Sequence, residues 1–237
     1  MVYDFQLWKH VKKVPIKGVI EVKMIEFSNI TLGFGNKIIF DDFNYSIESG
    51  KKILLNSPSG TGKSTLFGLM LGFLKPEKGQ VIVDNLVLNA GTIKEIRNKY
   101  GYLSQDIEFG EGKVLYIIRE IFNYAQNRGV QLNLNLLNNL MDYFEIESSL
   151  LENSARSLSG GEKQRLMIII LLLLNKDIYL LDEPTSALDE SLKSKVKEYF
   201  LGMQKTVFVI SHDKLWEKDK RVTILNWQGK VGNIYGQ

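Results

Sequence analysis

Residues Ile53-Leu54-Leu55 form a short apolar run that passes directly into Asn56-Ser57-Pro58-Ser59-Gly60-Thr61-Gly62-Lys63-Ser64-Thr65, after which apolar residues return at helical spacing through Leu71. A chain that leaves a buried strand, turns through glycine and opens a helix within so few residues must aim that helix at the space beyond the strand's carboxyl end. Gly60 and Gly62 permit a tight turn that bares successive backbone N–H groups, and the helix dipole adds positive potential, so the segment is suited to an anion. It follows the phosphate-loop pattern G-x-x-x-x-G-K-[ST] except at its first position, which is Ser57. In that pattern Lys63 reaches the β- and γ-phosphates, the Ser64 hydroxyl holds Mg²⁺ and Thr65 lies near the α-phosphate. Ser57, Ser59, Gly60, Thr61, Gly62, Lys63, Ser64 and Thr65 are therefore candidate nucleotide contacts.

The rest of the chain alternates between the two periods expected of an α/β domain. Ile25 to Leu32, Ile53 to Asn56, Gln80 to Asp84, Ile178 to Asp182, Thr206 to Ile210 and Val222 to Trp227 read as strands. Lys63 to Leu71, Val114 to Asn127, Asn133 to Phe144, Gly160 to Leu174 and Glu190 to Gly202 read as helices. The asparagines between Asn127 and Asn139 read as a solvated helical surface. The longest apolar run, Leu166 to Leu174, is far short of the ~20 residues a membrane span needs and reads as a helix buried in a protein core.

Two further segments carry chemistry. Ile178-Tyr179-Leu180-Leu181-Asp182-Glu183 is an apolar strand ending in two carboxylates, which places Asp182 to hold a Mg²⁺ shell and Glu183 to orient or deprotonate a water. Leu158-Ser159-Gly160-Gly161-Glu162 opens a helix with adjacent glycines, a costly choice unless something must approach the backbone closely, and an anion there is the economical explanation. The 237 residues are ample for a hydrophobic core, and the net charge of +3 is too mild to argue for nucleic acid. The absence of cysteine excludes disulfides and thiolate metal sites and fits a reducing cytoplasm.

With these segments in hand, the sequence resembles the ATPase subunit of ATP-binding cassette (ABC) systems over nearly all of residues 24 to 237. LSGGEKQR, Leu158 to Arg165, is similar to that family's signature, and DEPTSALD, Asp182 to Asp189, to its metal aspartate, catalytic glutamate and D-loop. Gln105 in YLSQD stands where the Q-loop glutamine lies, contacting Mg²⁺ and the membrane partner. His212 in VISHD stands at the switch histidine, and Phe34 in LGFG at the aromatic that stacks on adenine. The resemblance implies a P-loop NTPase (RecA-like) core with an antiparallel β subdomain and an inserted helical subdomain at about 106–157. It implies catalytic roles for Glu183, His212, Gln105 and Lys63, and metal contacts from Ser64, Gln105 and Asp182. Nucleotide contacts from Phe34, the phosphate loop, Ser159, Gly160, Gly161 and Asp189 follow as well. ATP and Mg²⁺ are then the ligands, and two copies pair head to tail so that Ser159 and Gly161 of one meet the γ-phosphate held by Lys63 of the other. Because the phosphate contacts are expected mainly from Gly60 onward, Ser57 is expected to be tolerated.

Further implications concern the partner. With no membrane span in the chain, the resemblance implies a separate transmembrane permease subunit, a homodimer as the default, and a peripheral place on the cytoplasmic face of a bacterial membrane. Tyr116, Ile117, Phe122 and Tyr124 are read as mostly core, with some near the permease groove. SALDES and SHDK, Ser186 to Ser191 and Ser211 to Lys214, resemble a small bacterial group proposed for iron or metal export. An ATPase that acts on a membrane partner without moving solute, of cell-division or signalling type, remains the alternative. Residues 1–23 lie outside the resemblance. They read either as a basic, aromatic arm on membrane headgroups through Trp8, Lys9, Lys12 and Lys13, or as the product of a misplaced start, with translation beginning at Met24.

Overall fold

The computed structural model describes residues 22–57, 61–127 and 129–226. The expected N-terminal extension up to residue 21, Ser59 and Gly60 of the loop, and the chain from Trp227 onward lie outside the described residues.

Two sheets carry the fold. In the first, β1 (Lys23–Phe34) lies between β2 (Lys37–Glu48) and β4 (Lys78–Val83), and β5 (Leu86–Val87) closes the edge, giving the antiparallel order β2-β1-β4-β5. In the second, β6 (Tyr100–Leu103), β7 (Ile178–Asp182), β8 (Thr206–Ile210), β3 (Lys52–Asn56) and β9 (Val222–Asn226) run parallel in the order β6-β7-β8-β3-β9.

The parallel sheet is buried on both faces, which is why its central strands are continuous apolar runs. Alternate residues divide between two cores. Leu54, Tyr179, Leu181, Val207 and Val209 pack beneath α5 (Gly160–Leu174) and α6 (Glu190–Gly202). Ile53, Leu55, Ile178, Leu180, Phe208 and Ile210 face α1 (Lys63–Met70) and the inner face of the antiparallel sheet. Helix α5 is the buried apolar helix expected of Leu166 to Leu174; it ends at Asn175 in the left-handed conformation (φ 45°). Among the described residues no helix is long and apolar enough to cross a membrane. This is a P-loop NTPase architecture of α/β class.

Several elements differ from the sequence reading. Strands β2, β5 and β6 and the short helix α2 (Ile93–Asn98) were not expected. The segment from Val114 is helical only to Asn123 (α3, Val114–Asn123), because Tyr124 is extended and a single 3₁₀ turn covers Ala125–Asn127. Asn127 is buried rather than solvated: its amide donates to the Ile121 carbonyl (2.8 Å) and accepts from Lys176 Nζ (3.0 Å). Asn133 caps α4 (Leu134–Tyr143), accepting from the Leu136 N–H. Of the four residues read as mostly core, Ile117 and Phe122 are buried, whereas Tyr116 and Tyr124 are exposed. Between β6 and α5 the described residues form helices and 3₁₀ turns and contribute no strand to either sheet.

Candidate functional site

The register of the parallel sheet brings the motif residues to one edge. Leu103 pairs with Leu181, Asp182 with Ile210, and Leu55 with Ile210. Asp182 is the last residue of β7, and Glu183, Gln105, His212 and Ser57 follow the carboxyl ends of β7, β6, β8 and β3 within one or two residues, in the crevice where open α/β sheets place their ligands. Helix α1 starts at this edge. Its N-cap, Gly62, has φ 110°, a conformation closed to residues with a Cβ except at considerable strain.

Lys63 Nζ is the hub. It donates to the Ser57 carbonyl at 2.7 Å and lies 2.9 Å from His212 Nε2. Since an ammonium only donates, Nε2 accepts and the ring proton sits on Nδ1. Ser57 is buried, its hydroxyl hydrogen-bonds to that of Thr61, and it is not among the described residues with positive φ. The position that departs from the glycine pattern therefore needs no left-handed backbone here.

Glu183 is held by its own main chain. Its φ is +49°, unusual for a residue with a side chain, and its N–H donates to the Ile210 carbonyl at 2.8 Å. Its carboxylate accepts from Ser211 Oγ at 3.3 Å and stands 4.0 Å from His212 Nε2. Ser211 enters the sequence reading only as part of the VISHD and SHDK segments, with no role at the site. Burial, with Glu183 adjoining, holds the Asp182 carboxyl above its usual range, and the Lys63 ammonium pulls it the other way. A divalent cation beside Asp182 relieves both strains. A half-buried carboxylate at Asp182, a hydroxyl at Ser64 and an amide oxygen at Gln105 are oxygen donors of the kind that suits Mg²⁺ and would leave positions for phosphate oxygens and water.

The remaining candidates make no hydrogen bond to Lys63 among the described residues. Phe34 is exposed at the end of β1, and Gln105 is exposed beyond β6. Ser159 caps α5 in a reciprocal capping box with Glu162, whose carboxylate accepts from the Ser159 N–H (2.8 Å) and Oγ (2.7 Å) and is held below its usual range by them. Gly160 and Gly161 follow, and Gly161 lies so close to the next loop that a Cβ there would meet the Ala187 carbonyl oxygen at 3.0 Å. Asp189 caps α6, accepting from the Leu192 N–H at 2.9 Å. No hydrogen bond among the described residues joins Ser159, Gly160, Gly161 or Asp189 to Lys63.

This constellation was compared with known proteins. The profile of the family described as "ABC transporter" matches residues 40–186. The chain belongs to the ABC transporter family. This ABC protein is 33% identical over 205 residues to the ergothioneine transport ATP-binding protein EgtV of Helicobacter pylori (strain G27), covering 81% of itself and 91% of that relative. It is 29% identical over 211 residues to the energy-coupling factor transporter ATP-binding protein EcfA of aster yellows witches'-broom phytoplasma (strain AYWB), covering 88% and 77%. Other curated relatives are longer, and the chain spans 28% of some and 51% of another. Among solved structures it superposes on a bacterial ABC transporter cassette determined as a dimer with a TM-score of 0.74 at 26% identity, over 90% of this chain and 98% of that one. The protein is an ATP-binding cassette that binds and hydrolyses ATP.

Proposed function

We propose that this cassette is the ATP-hydrolysing subunit of a transporter whose membrane-spanning part is a separate polypeptide. The observation that carries the reading is the convergence of Lys63, Asp182, Glu183, His212 and Gln105 on one sheet edge, while the Ser159–Gly161 turn opens elsewhere with its backbone unpaired to that hub. A site split in this way is completed by a second copy. ATP is bound between two chains head to tail, its phosphates on the phosphate loop and Lys63 of one and on Ser159, Gly160 and Gly161 of the other, with Asp189 beside that turn and Phe34 stacking on adenine.

On binding, Lys63 exchanges Ser57 and His212 for the β- and γ-phosphates. Glu183 takes a proton from the water that attacks the γ-phosphorus, and the bond to the ADP oxygen breaks. His212, released from Lys63, faces the γ-phosphate. Ser64, Asp182 and Gln105 would hold Mg²⁺, which would supply charge neutralisation when bound. Loss of the γ-phosphate removes the shared contact and the pair reopens.

We read residues about 106–157 as the helical subdomain. A cleft of about 720 Å³ is lined by residues of this segment and of the core, among them Arg97, Phe109, Ile117, Tyr124, Met167 and Lys176. This cleft adjoins the segment after Gln105 and is the place for a permease's coupling helix, which puts the subunit peripherally on the cytoplasmic face of a membrane. A metal ion as cargo is supported by the resemblance of SALDES and SHDK to iron or metal export subunits. The relatives named above carry other designations, ergothioneine transport and energy-coupling factor, which support a small solute instead. The test is a pull-down from native membranes with Glu183→Gln in Mg-ATP, read by mass spectrometry. A co-purifying multi-spanning protein supports transport and narrows the cargo. Recovery of only soluble or cell-division proteins overturns it.

A further inference from the structure

Gln164 belongs to the LSGGEKQR segment, yet its side chain points away from the helix opening and into the protein, where the residue is 3% exposed. There its amide is fully used. Nε2 donates to the Glu183 carbonyl at 2.9 Å and to Ser186 Oγ at 3.3 Å, and Oε1 accepts from the Ala187 N–H at 3.0 Å. The two backbone partners present an acceptor and a donor side by side. Only a neutral amide of this length meets both, since a carboxylate lacks the donor and an ammonium lacks the acceptor.

The loop so held is the one that carries Glu183 in its left-handed conformation. The same loop packs closely on the start of α5, where a Cβ on Gly161 would stand 3.0 Å from the Ala187 carbonyl oxygen. The opposite side of α5 is tied as well, because Arg165 Nη1 donates to the carbonyls of Phe144 (2.9 Å) and Glu145 (2.6 Å) at the end of α4. Two consecutive side chains, Gln164 and Arg165, thus fix α5 to the Glu183 loop and to the helical segment.

We propose that Gln164 is a positioning residue for ATP hydrolysis: by clamping the backbone at Glu183 and Ala187 to α5, it sets the Glu183 carboxylate in place and makes that placement depend on the Ser159–Gly161 turn. The proposal rests on the roles assigned above to Glu183 and to that turn. A contact of the signature turn with nucleotide held by the second chain is thereby passed, through one buried amide, to the water-activating group of the first. Capture of ATP by a single chain uses its phosphate loop and Lys63, which make no hydrogen bond to Gln164 among the described residues, so that step does not depend on the clamp.

The experiment compares wild type, Glu183→Gln, Gln164→Met and Gln164→Glu for thermal unfolding, displacement of a fluorescent ATP analogue, and steady-state phosphate release. Gln164→Met removes every hydrogen bond at nearly constant volume; Gln164→Glu keeps the size and the acceptor for Ala187 and removes the donors. The expected result is an ATP affinity within about twofold of wild type and a kcat at least ~10-fold lower in both variants, at ATP concentrations that saturate all four proteins. A Gln164 variant that folds and keeps wild-type kcat overturns the proposal, as does a loss of affinity and kcat in parallel with a lowered melting temperature. Should Gln164→Met not fold, Gln164→Glu decides between the same outcomes. The control separates the two layers of the argument: full turnover in Glu183→Gln refutes the assignment of that carboxylate, whereas a dead Glu183→Gln beside an unimpaired Gln164 variant refutes only the clamp.

Discussion

Replacing Ser57 by glycine restores the usual phosphate-loop pattern, and the structure says that this should weaken the fold without improving the enzyme. Ser57 is buried, its hydroxyl is bonded to Thr61, its backbone is outside the set of described positive-φ residues, and its carbonyl receives Lys63 Nζ. Glycine keeps the carbonyl and therefore the Lys63 contact. It loses the hydroxyl pair, worth about 0.5–1.5 kcal/mol net. It also gains chain entropy in the unfolded state, a further cost of about 0.4–1 kcal/mol. The sum is about 1–2.5 kcal/mol, which for a chain of this size lowers Tm by ~2–10 °C. Differential scanning fluorimetry and urea unfolding of Ser57→Gly against wild type measure this, and phosphate release at saturating Mg-ATP measures turnover. The expected turnover is within ~3-fold of wild type, less than 1 kcal/mol in barrier height. A rise of about tenfold or more in kcat, or a melting temperature above that of wild type, would show that serine cripples the loop and that its hydroxyl is no part of the fold.

Two other perturbations separate chemistry from architecture. Glu183→Gln should reduce kcat by about 10²–10⁴-fold, the usual contribution of a positioned base, while ATP binding persists and size-exclusion chromatography shows an ATP-dependent dimer; an inactive variant that stays monomeric with ATP bound contradicts the shared site. Asp219 accepts two hydrogen bonds from the Arg221 side chain (2.9 and 2.7 Å) and faces Lys197 Nζ at 3.3 Å, so Arg221 first, and Lys197 after it, hold its carboxyl well below the usual range. A depressed folded-state pKa contributes stability above the unfolded value of ~4 and loses it as pH falls through that value toward the folded one. Asp219→Asn should therefore cost roughly 1–2 kcal/mol in urea unfolding at pH 7 and progressively less below pH ~4; a pH-independent difference would mean that the ion pairs contribute nothing.

The legible parts of the sequence were those whose signal is local. Strand β7 up to Leu181 and helix α5 from Leu166 are mostly buried, so their residues there are apolar without interruption, and the helix start read at Leu158–Glu162 is closed by a capping box between Ser159 and Glu162. Strand β2 was hidden because Lys37–Glu48 carries consecutive exposed Asp41-Asp42 at its middle and bulges against β1, and both break the period of two that one solvated face would otherwise give. Strand β6 is four residues with Gly101 among them, and that glycine, which reads as a break, lies there because a Cβ would meet the Tyr179 ring at 3.0 Å. The candidate site divides along the same line. Asp182 and Glu183 stand at the end of an apolar strand and Lys63 opens the helix that follows a glycine-containing loop, so their positions could be read from the flanking residues alone. The contact of Lys63 with His212 spans 149 positions, and it exists only because β3 and β8 pair in parallel at Leu55 and Ile210. Gln164 spans only 19 positions to Glu183, yet no periodicity marks it, since a buried amide is placed by the two backbone groups it must satisfy and those belong to a loop with no pattern of its own. What sequence motifs name is the set of groups that meet the ligand; what they leave out is the set that holds those groups still, and in this fold that second set is made of polar side chains whose partners are backbone atoms.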